Sequence, residues 1–263
     1  MFYSKEYLSF IKNSKAKALD IVLIAVKETI GHTFAKEGNM MLVNSQGEFT
    51  GVLGSPALHN KLFDLSKELF KSKKSIVYEN HPKDKKSGHG VSIYSLSSFF
   101  YEDDYAFLDK SLKRFGKPYS LLIFGSGAHV SSLISMANLM GWETTVIDLS
   151  LKEEYIKEAD ILIKLESLEK ILTYDLSSYN ASVILSHSPF TDDVYLEALL
   201  KSKVEYIGIL GNKNNMEKKK DKFNLHEDKR FFGPVGLDIG GNTHQSIALS
   251  ICSQIEARKN KKI

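Results

Sequence analysis

The sequence predicts an α/β protein in two parts: a C-terminal Rossmann-like parallel sheet with helices on both faces, preceded by a smaller α+β domain. Three observations lead there. Beyond residue 118, short apolar runs alternate with helical segments, the rhythm of strand–helix–strand units. Within that region an apolar strand ends in Gly125-Ser126-Gly127 and passes straight into a helical stretch, the local pattern of a nucleotide-binding turn. Before residue 118 the apolar runs are spaced as hairpins, with few helical stretches between them. The division is placed at 1–117, ending in a linker helix, and 118–263. The chain has 263 residues, 43% hydrophobic and 25% charged. That composition excludes collagenous, low-complexity and disordered classes.

In the first part, Tyr7, Leu8, Phe10 and Ile11 fall at helical spacing within residues 3–18. Residues 20–26 are an apolar, β-branched run and predict a strand. Residues 40–43 and 49–53 flank the turn Asn44-Ser45-Gln46-Gly47-Glu48 and predict a hairpin. Residues 57–71 read as a helix. Strands at 76–78 and 91–94 flank the polar loop 80–90, whose Lys83, Lys85 and Lys86 read as solvated. Residues 101–118 are charged, close on Gly116-Lys117-Pro118, and read as the linker helix and boundary.

In the second part, strands are predicted at 121–124, 144–147, 161–165, 181–185, 206–210 and 233–237. Helices follow at 129–140, 192–201, 213–224 and 243–257, with Asn242 or Thr243 as N-cap of the last.

Several turns could carry chemistry. Gly125 and Gly127 let the chain turn tightly and let backbone N–H groups meet a phosphate at a helix N-terminus. Val130 stands where the dinucleotide fingerprint has its third glycine. Strand 144–147 ends in Asp148, 21 residues past Gly127, where an acidic residue bonds a ribose hydroxyl. The same residues also suit a scaffold turn that needs small side chains. Ser186-His187-Ser188-Pro189-Phe190-Thr191-Asp192-Asp193 follows the strand at 181–185, and loops beyond strand C-termini line the crevice of open α/β sheets. His187, Asp192 and Asp193 there could bind a polar ligand or move a proton. Equally, Thr191 or Asp192 could cap the next helix while His187 packs. Gly211-Asn212 is another strand-to-helix turn. The stretch 233–243, with Gly236, Asp238 and Gly240, reads as a ligand loop. No nucleophile elbow is present, so no catalytic residue is named.

His32, His59, His81, His89 and His244 show no ligand spacing, and no metal site is expected. The single cysteine, Cys252, excludes an internal disulfide framework and reads as a buried structural thiol. No apolar signal core or membrane span is found, so a soluble cytoplasmic protein is expected. A net charge of +3 gives no reason to expect a nucleic-acid partner.

The residues resemble a known family. Ser120 to Asp148, Ala181 to Gly211 and Gly233 to Ile255 are similar to the C-terminal Rossmann domain of the xanthine dehydrogenase accessory protein family, also called the XdhC/CoxI family. Three segments carry the likeness: Ser186-His187 with Asp192-Asp193, Tyr206-Ile207-Gly208-Ile209-Leu210-Gly211, and Pro234-Val235-Gly236-Leu237-Asp238-Ile239-Gly240. The first part resembles the family more faintly, through Gly38 to Val43 and Gly47 to Gly54. It departs at Gly54-Ser55-Pro56-Ala57-Leu58-His59, which has neither the Cys nor the Glu of the family segment, and at the loop His32 to Glu37. The turn has Ala128-His129 where many relatives place the His directly after the second glycine. The resemblance implies an accessory role: binding molybdenum cofactor (molybdopterin) and assisting its maturation or insertion into a molybdenum hydroxylase client, together with cofactor-maturation proteins. Binding rather than turnover is then expected. Gly125, Ser126, Gly127 and His129 would take a phosphate and Asp148 a hydroxyl. His187, Asp192, Asp193, Gly211, Asn212, Gly236, Asp238 and Gly240 would line the crevice. The alternative is an NAD(P)-dependent oxidoreductase with His187 as acid or base. A homodimer is left open.

Overall fold

The computed structural model describes residues 2–82 and 90–263. Lys83, Lys85, Lys86 and His89 lie outside the described residues. The chain divides into two compact units, Met1–Lys117 and Pro118–Ile263.

Unit 1 contains β1 (Phe2–Tyr3), α1 (Glu6–Ala16), β2 (Ile21–Ile30), β3 (Met40–Asn44), β4 (Phe49–Thr50), α2 (Pro56–Ser72), β5 (Ile76–Asn80), β6 (Val91–Phe99) and α3 (Leu108–Lys113), and ends in the first residue of β7 (Lys117–Pro118). β1 and β7 pair as a short ribbon, and the five other strands form a sheet in the order β4-β3-β2-β6-β5. Every pairing in that sheet is antiparallel. Successive side chains of a strand point to opposite faces, and both faces here are covered. Val22, Ile24 and Val26 lie with Leu58, Leu62, Leu65 and Leu69 of α2. Ile21, Leu23 and Ala25 lie with Ile11 of α1 and with Leu108 and Leu112 of α3. This explains why β2 begins as an unbroken apolar run rather than an alternating one. The α2 leucines recur at helical spacing, Ser55 caps the helix through Leu58 N–H at 3.4 Å, and Pro56 occupies the first turn.

Unit 2 contains β8 (Ser120–Phe124), α4 (Ala128–Leu139), β9 (Glu143–Asp148), α5 (Glu153–Ile156), β10 (Ile161–Lys164), β11 (Ala181–Ile184), α6 (Pro189–Leu200), β12 (Tyr206–Ile209), α7 (Lys213–Phe223), β13 (Phe231–Phe232) and α8 (His244–Lys259). Its sheet has six strands in the order β10-β9-β8-β11-β12-β13, all parallel. This is the doubly wound order of a Rossmann fold. Leu121 and Ile123 of β8 face the layer holding Val130 and Ile134 of α4 and Ile251 and Ile255 of α8. Leu122 and Phe124 face the other, with Tyr195, Leu196 and Leu199 of α6. The strand order reverses between β8 and β11, which opens the crevice of such sheets at their C-terminal ends.

Three expectations change. The strand expected at 233–237 is β13 at Phe231–Phe232 instead: Pro234 has no N–H to pair, and Gly236 sits at φ +99°. The strand expected over 49–53 ends at Thr50, because Gly51 turns the chain at φ +94°. The linker helix expected over 101–118 is only a 3₁₀ turn at Tyr101–Asp103 and the short α3, with Asp104, Tyr105 and Phe107 in left-handed conformation between them. Cys252 is buried beside Ile251 and Ile255, and burial pushes its thiol up to about 12.

The glycines of the β8–α4 turn differ in what they require. Gly125 has φ +107°, and a Cβ there would lie 2.7 Å from the Leu185 carbonyl oxygen. Gly127 has φ −75°, and its Cβ would meet only the His129 ring. Gly125→Ala is therefore expected to destabilise unit 2 by about 1–3 kcal/mol, and Gly127→Ala by less than about 0.5 kcal/mol. Urea unfolding followed by the fluorescence of Trp142, the only tryptophan and buried in unit 2, measures both. Equal losses would remove the steric account.

Candidate functional site

Because the sheet is parallel, the loops after β8, β9, β11 and β12 all leave from one edge. At that edge the turn 125–129 meets the end of β11. His129 Nε2 lies 3.0 Å from the Leu185 carbonyl oxygen, and His187 Nε2 lies 3.2 Å from His129 Nδ1. The two rings sit edge to face at 4.2 Å, and the His244 ring at the start of α8 is 6.3 Å from His129.

This geometry sets the tautomers. A carbonyl oxygen only accepts, so His129 Nε2 carries the proton. The Nδ1 of neutral His129 is then an acceptor, and His187 Nε2–H donates to it. Protonating His129 would place two donors face to face. Burial first, then the neighbouring His187, holds the His129 pKa below the ordinary histidine range. His187 is exposed and adopts φ +58°, a conformation uncommon outside glycine. Among the described residues, the N–H groups of Gly127, Ala128 and His129 meet no acceptor. They stand at the start of a 12-residue helix, where such groups attract anions.

Ser126 and Asp148 form a separate brace. The buried Ser126 hydroxyl lies 2.8 Å from both Asp148 Oδ2 and the Ser150 carbonyl, and Asp148 Oδ1 accepts from Leu149 N–H at 2.7 Å. Each Asp148 oxygen thus already holds one hydrogen bond. Asp192 does not cap α6: Ser188 occupies that position, and Thr191 and Asp192 lie inside the first turn. Asp192 is buried and accepts from the Ser186 hydroxyl, and burial raises its pKa. Asp193 faces elsewhere and pairs with Lys219 and Lys222 of α7. Those two bonds outweigh its partial burial and hold its carboxyl below the usual range.

Asn212 caps α7 by accepting from Asn215 N–H at 2.9 Å, and Gly211 packs against Met216. Gly236 is held by Gln254, which accepts its N–H at 2.9 Å and the Tyr206 hydroxyl at 2.6 Å. Asp238 and Gly240 lie in an exposed loop, joined by a single bond of 3.3 Å. Thr243 caps α8 through Ser246 N–H.

Three participants escape sequence reasoning. His244 stands at a helix start with no motif around it. Gln254 lies on α8, 18 residues from Gly236. Tyr195 is fully buried, stacks on Phe124 at 4.3 Å, and its hydroxyl has no partner among the described residues. Burial, with Asp148 and Asp192 nearby, raises its pKa. Among the described residues no group of three His, Cys, Asp or Glu is arranged to hold a metal.

The His129 pair yields a signed pH prediction. A folded-state pKa below the unfolded value of about 6.5 means that the unfolded chain binds more protons in that window. Stability is then retained above about pH 6.5 and falls as pH drops toward the folded pKa. Nitrogen-15 NMR is expected to show His129 as the Nε2–H tautomer at neutral pH, titrating below about 6.5. In His187→Ala the His129 midpoint should move up, short of the ordinary value because burial persists. An unchanged or lower midpoint would disprove the coupling.

The family model for the XdhC Rossmann domain matches residues 121–255. A probable xanthine dehydrogenase subunit of Bacillus subtilis (strain 168) is 27% identical over 138 residues, 51% of this chain and 41% of that protein. "Uncharacterized protein YqeB" of Escherichia coli (strain K12) is 24% identical over 230 residues, 84% of this chain and 40% of that protein. The chain thus spans about two fifths of the length of these curated relatives. A crystal structure described as a xanthine dehydrogenase from Bacillus halodurans superposes with a TM-score of 0.80 at 18% identity, covering 99% of this chain and 97% of that one, and so shares the fold of the whole chain. No helix among the described residues is long and apolar enough to cross a membrane. With the six-stranded parallel sheet and its glycine turn inside the matched region, the chain belongs to the XdhC family.

Proposed function

We propose that the protein is an accessory factor for a molybdenum hydroxylase of the xanthine dehydrogenase type, acting in the cytoplasm and holding molybdenum cofactor, or a related pterin or nucleotide ligand, for maturation or insertion. The carrying observation is the free N–H groups of Gly127, Ala128 and His129 beside the His129–His187 pair, at the edge where the strand order reverses. Those groups suit the phosphate of such a ligand: three amides at a helix start, with the exposed His187 beside them. When bound, the cofactor would supply the client's redox centre; the residues of this chain only hold it. The client hydroxylase and cofactor-maturation proteins are the expected partners.

Protein purified from a host that makes molybdenum cofactor should release a pterin detectable by mass spectrometry. His187→Ala should keep the fold and weaken binding by roughly 5–150-fold, the range for losing one polar contact of about 1–3 kcal/mol. Asp238→Ala should act alike, with a less ordered loop. No oxidation or reduction of nicotinamide is expected with small alcohols, aldehydes or hydroxy acids. Steady nicotinamide turnover abolished by His187→Ala would replace this reading with an NAD(P)-dependent oxidoreductase.

A further inference from the structure

Unit 1 carries a cavity of about 950 Å³, at the upper end of the volumes that hold small ligands. It is formed by the loop after β2, the start of α2, and the facing ends of β5 and β6. None of this belongs to the glycine turn of unit 2.

The lining has a consistent chemistry. Among the described residues it includes no Asp or Glu, but does include Lys61, His32 and His81. Glu79, which bonds His81 at 3.1 Å, is outside the lining. Lys17, Lys67 and Lys73 of the same unit each pair with a carboxylate. Lys61 pairs with none among the described residues, and its ammonium stands 6.0 Å from the centre of the Tyr78 ring. The start of α2 adds a further donor. Pro56 has no N–H and Ser55 takes that of Leu58, leaving the Ala57 N–H without an acceptor among the described residues. The walls are aromatic. Tyr78 and Tyr94 are stacked at 6.3 Å with 21° between their planes, and Phe34 is 75% exposed to water. A large ring left open on a cavity wall offers a surface for another flat ring.

We infer that unit 1 holds a second ligand site, for a planar heteroaromatic ring bearing a phosphate monoester. The ring lies between Phe34 and Tyr78, which the buried Tyr94 backs, and the phosphate meets Lys61 and the Ala57 N–H. The inference is independent of ligand binding at the glycine turn, since it rests on unit 1 residues alone.

The test uses flavin mononucleotide and riboflavin, which share a fluorescent ring and differ by the phosphate, with inorganic phosphate as competitor. The full chain should quench and bind flavin mononucleotide roughly tenfold or more tightly than riboflavin, the factor expected for a charge-assisted contact. Phosphate should compete with the first probe only. Lys61→Ala should bring the two affinities together, Lys61→Arg should restore most of the difference, and Phe34→Ala should weaken both probes. Lys61 and Phe34 are exposed, so these variants should fold, as circular dichroism would confirm. Absence of saturable binding, or binding unchanged in Lys61→Ala and Phe34→Ala, overturns the inference. Binding lost in His187→Ala but kept in both unit 1 variants would overturn it too, by placing the flavin in unit 2. Failure here leaves pterin release and its sensitivity to His187→Ala untouched, so the two sites are judged separately.

Discussion

The approach of Gly125 to the carbonyl of Leu185 is the contact on which the working edge of unit 2 depends. β8 and β11 run side by side, and the helices that follow them pack on opposite faces of the sheet. Where two such connections diverge, the chains must separate sharply without leaving polar backbone stranded. Gly125 manages this by turning at φ +107° with its Cα against the Leu185–Ser186 peptide. Its N–H bonds the Ile147 carbonyl, so the same residue ties three neighbouring strand ends together. His129 then reaches back to the Leu185 carbonyl. A side chain at 125 would push these strand ends apart and carry His129 away from His187.

The two units solve the same burial problem with different sheets. An antiparallel sheet can leave one face to water, but in unit 1 α2 covers one face and α1 with α3 the other. Unit 2 reaches the same result through parallel crossovers. Both sheets therefore have central strands that are apolar at consecutive positions, Ile21 to Val26 and Leu121 to Phe124. Polar residues are displaced to loops, which is why the unusual chemistry of the chain gathers at strand ends.

That distribution also decides what could be read in advance. The parallel sheet was legible because each strand is a short apolar run bounded by turn residues, and because the glycine turn marks the first crossover. The misplaced elements all involve backbone states that composition does not announce. Gly51 cuts a strand short, and Asp104, Tyr105 and Phe107 take left-handed angles in a segment whose charges suggest a helix. The site was legible only as a set of loops. His129 and His187 are 58 residues apart, and their contact depends on the order of strands in space. Asp193 sat beside Asp192 in the same motif, yet one turns inward to Ser186 and the other outward to Lys219 and Lys222. Adjacent helical residues point about 100° apart, so a pair of neighbouring acids rarely serves one site.

The brace between Ser126 and Asp148 bears on what the Rossmann fold means here. An acidic residue at the end of the second strand is read as a ribose ligand when its carboxylate is free to accept. In this chain it accepts from Ser126 and from Leu149 N–H, and it helps to hold the loop carrying Ser150 and Lys152. Gly125 likewise has a complete structural reason to be glycine. Much of the apparent dinucleotide fingerprint is thus accounted for by packing alone, and fold does not by itself carry function. Gly127, the amides that follow it and the exposed His187 are different. Gly127 has no steric need of glycine from its backbone, its neighbouring N–H groups meet no acceptor, and His187 accepts an uncommon backbone conformation to touch His129. Strain of that kind is of order 1–3 kcal/mol per residue and persists where the surroundings enforce it. The amides and His187 are the features of the edge that packing does not explain, and they are where the proposed phosphate-bearing ligand would bind.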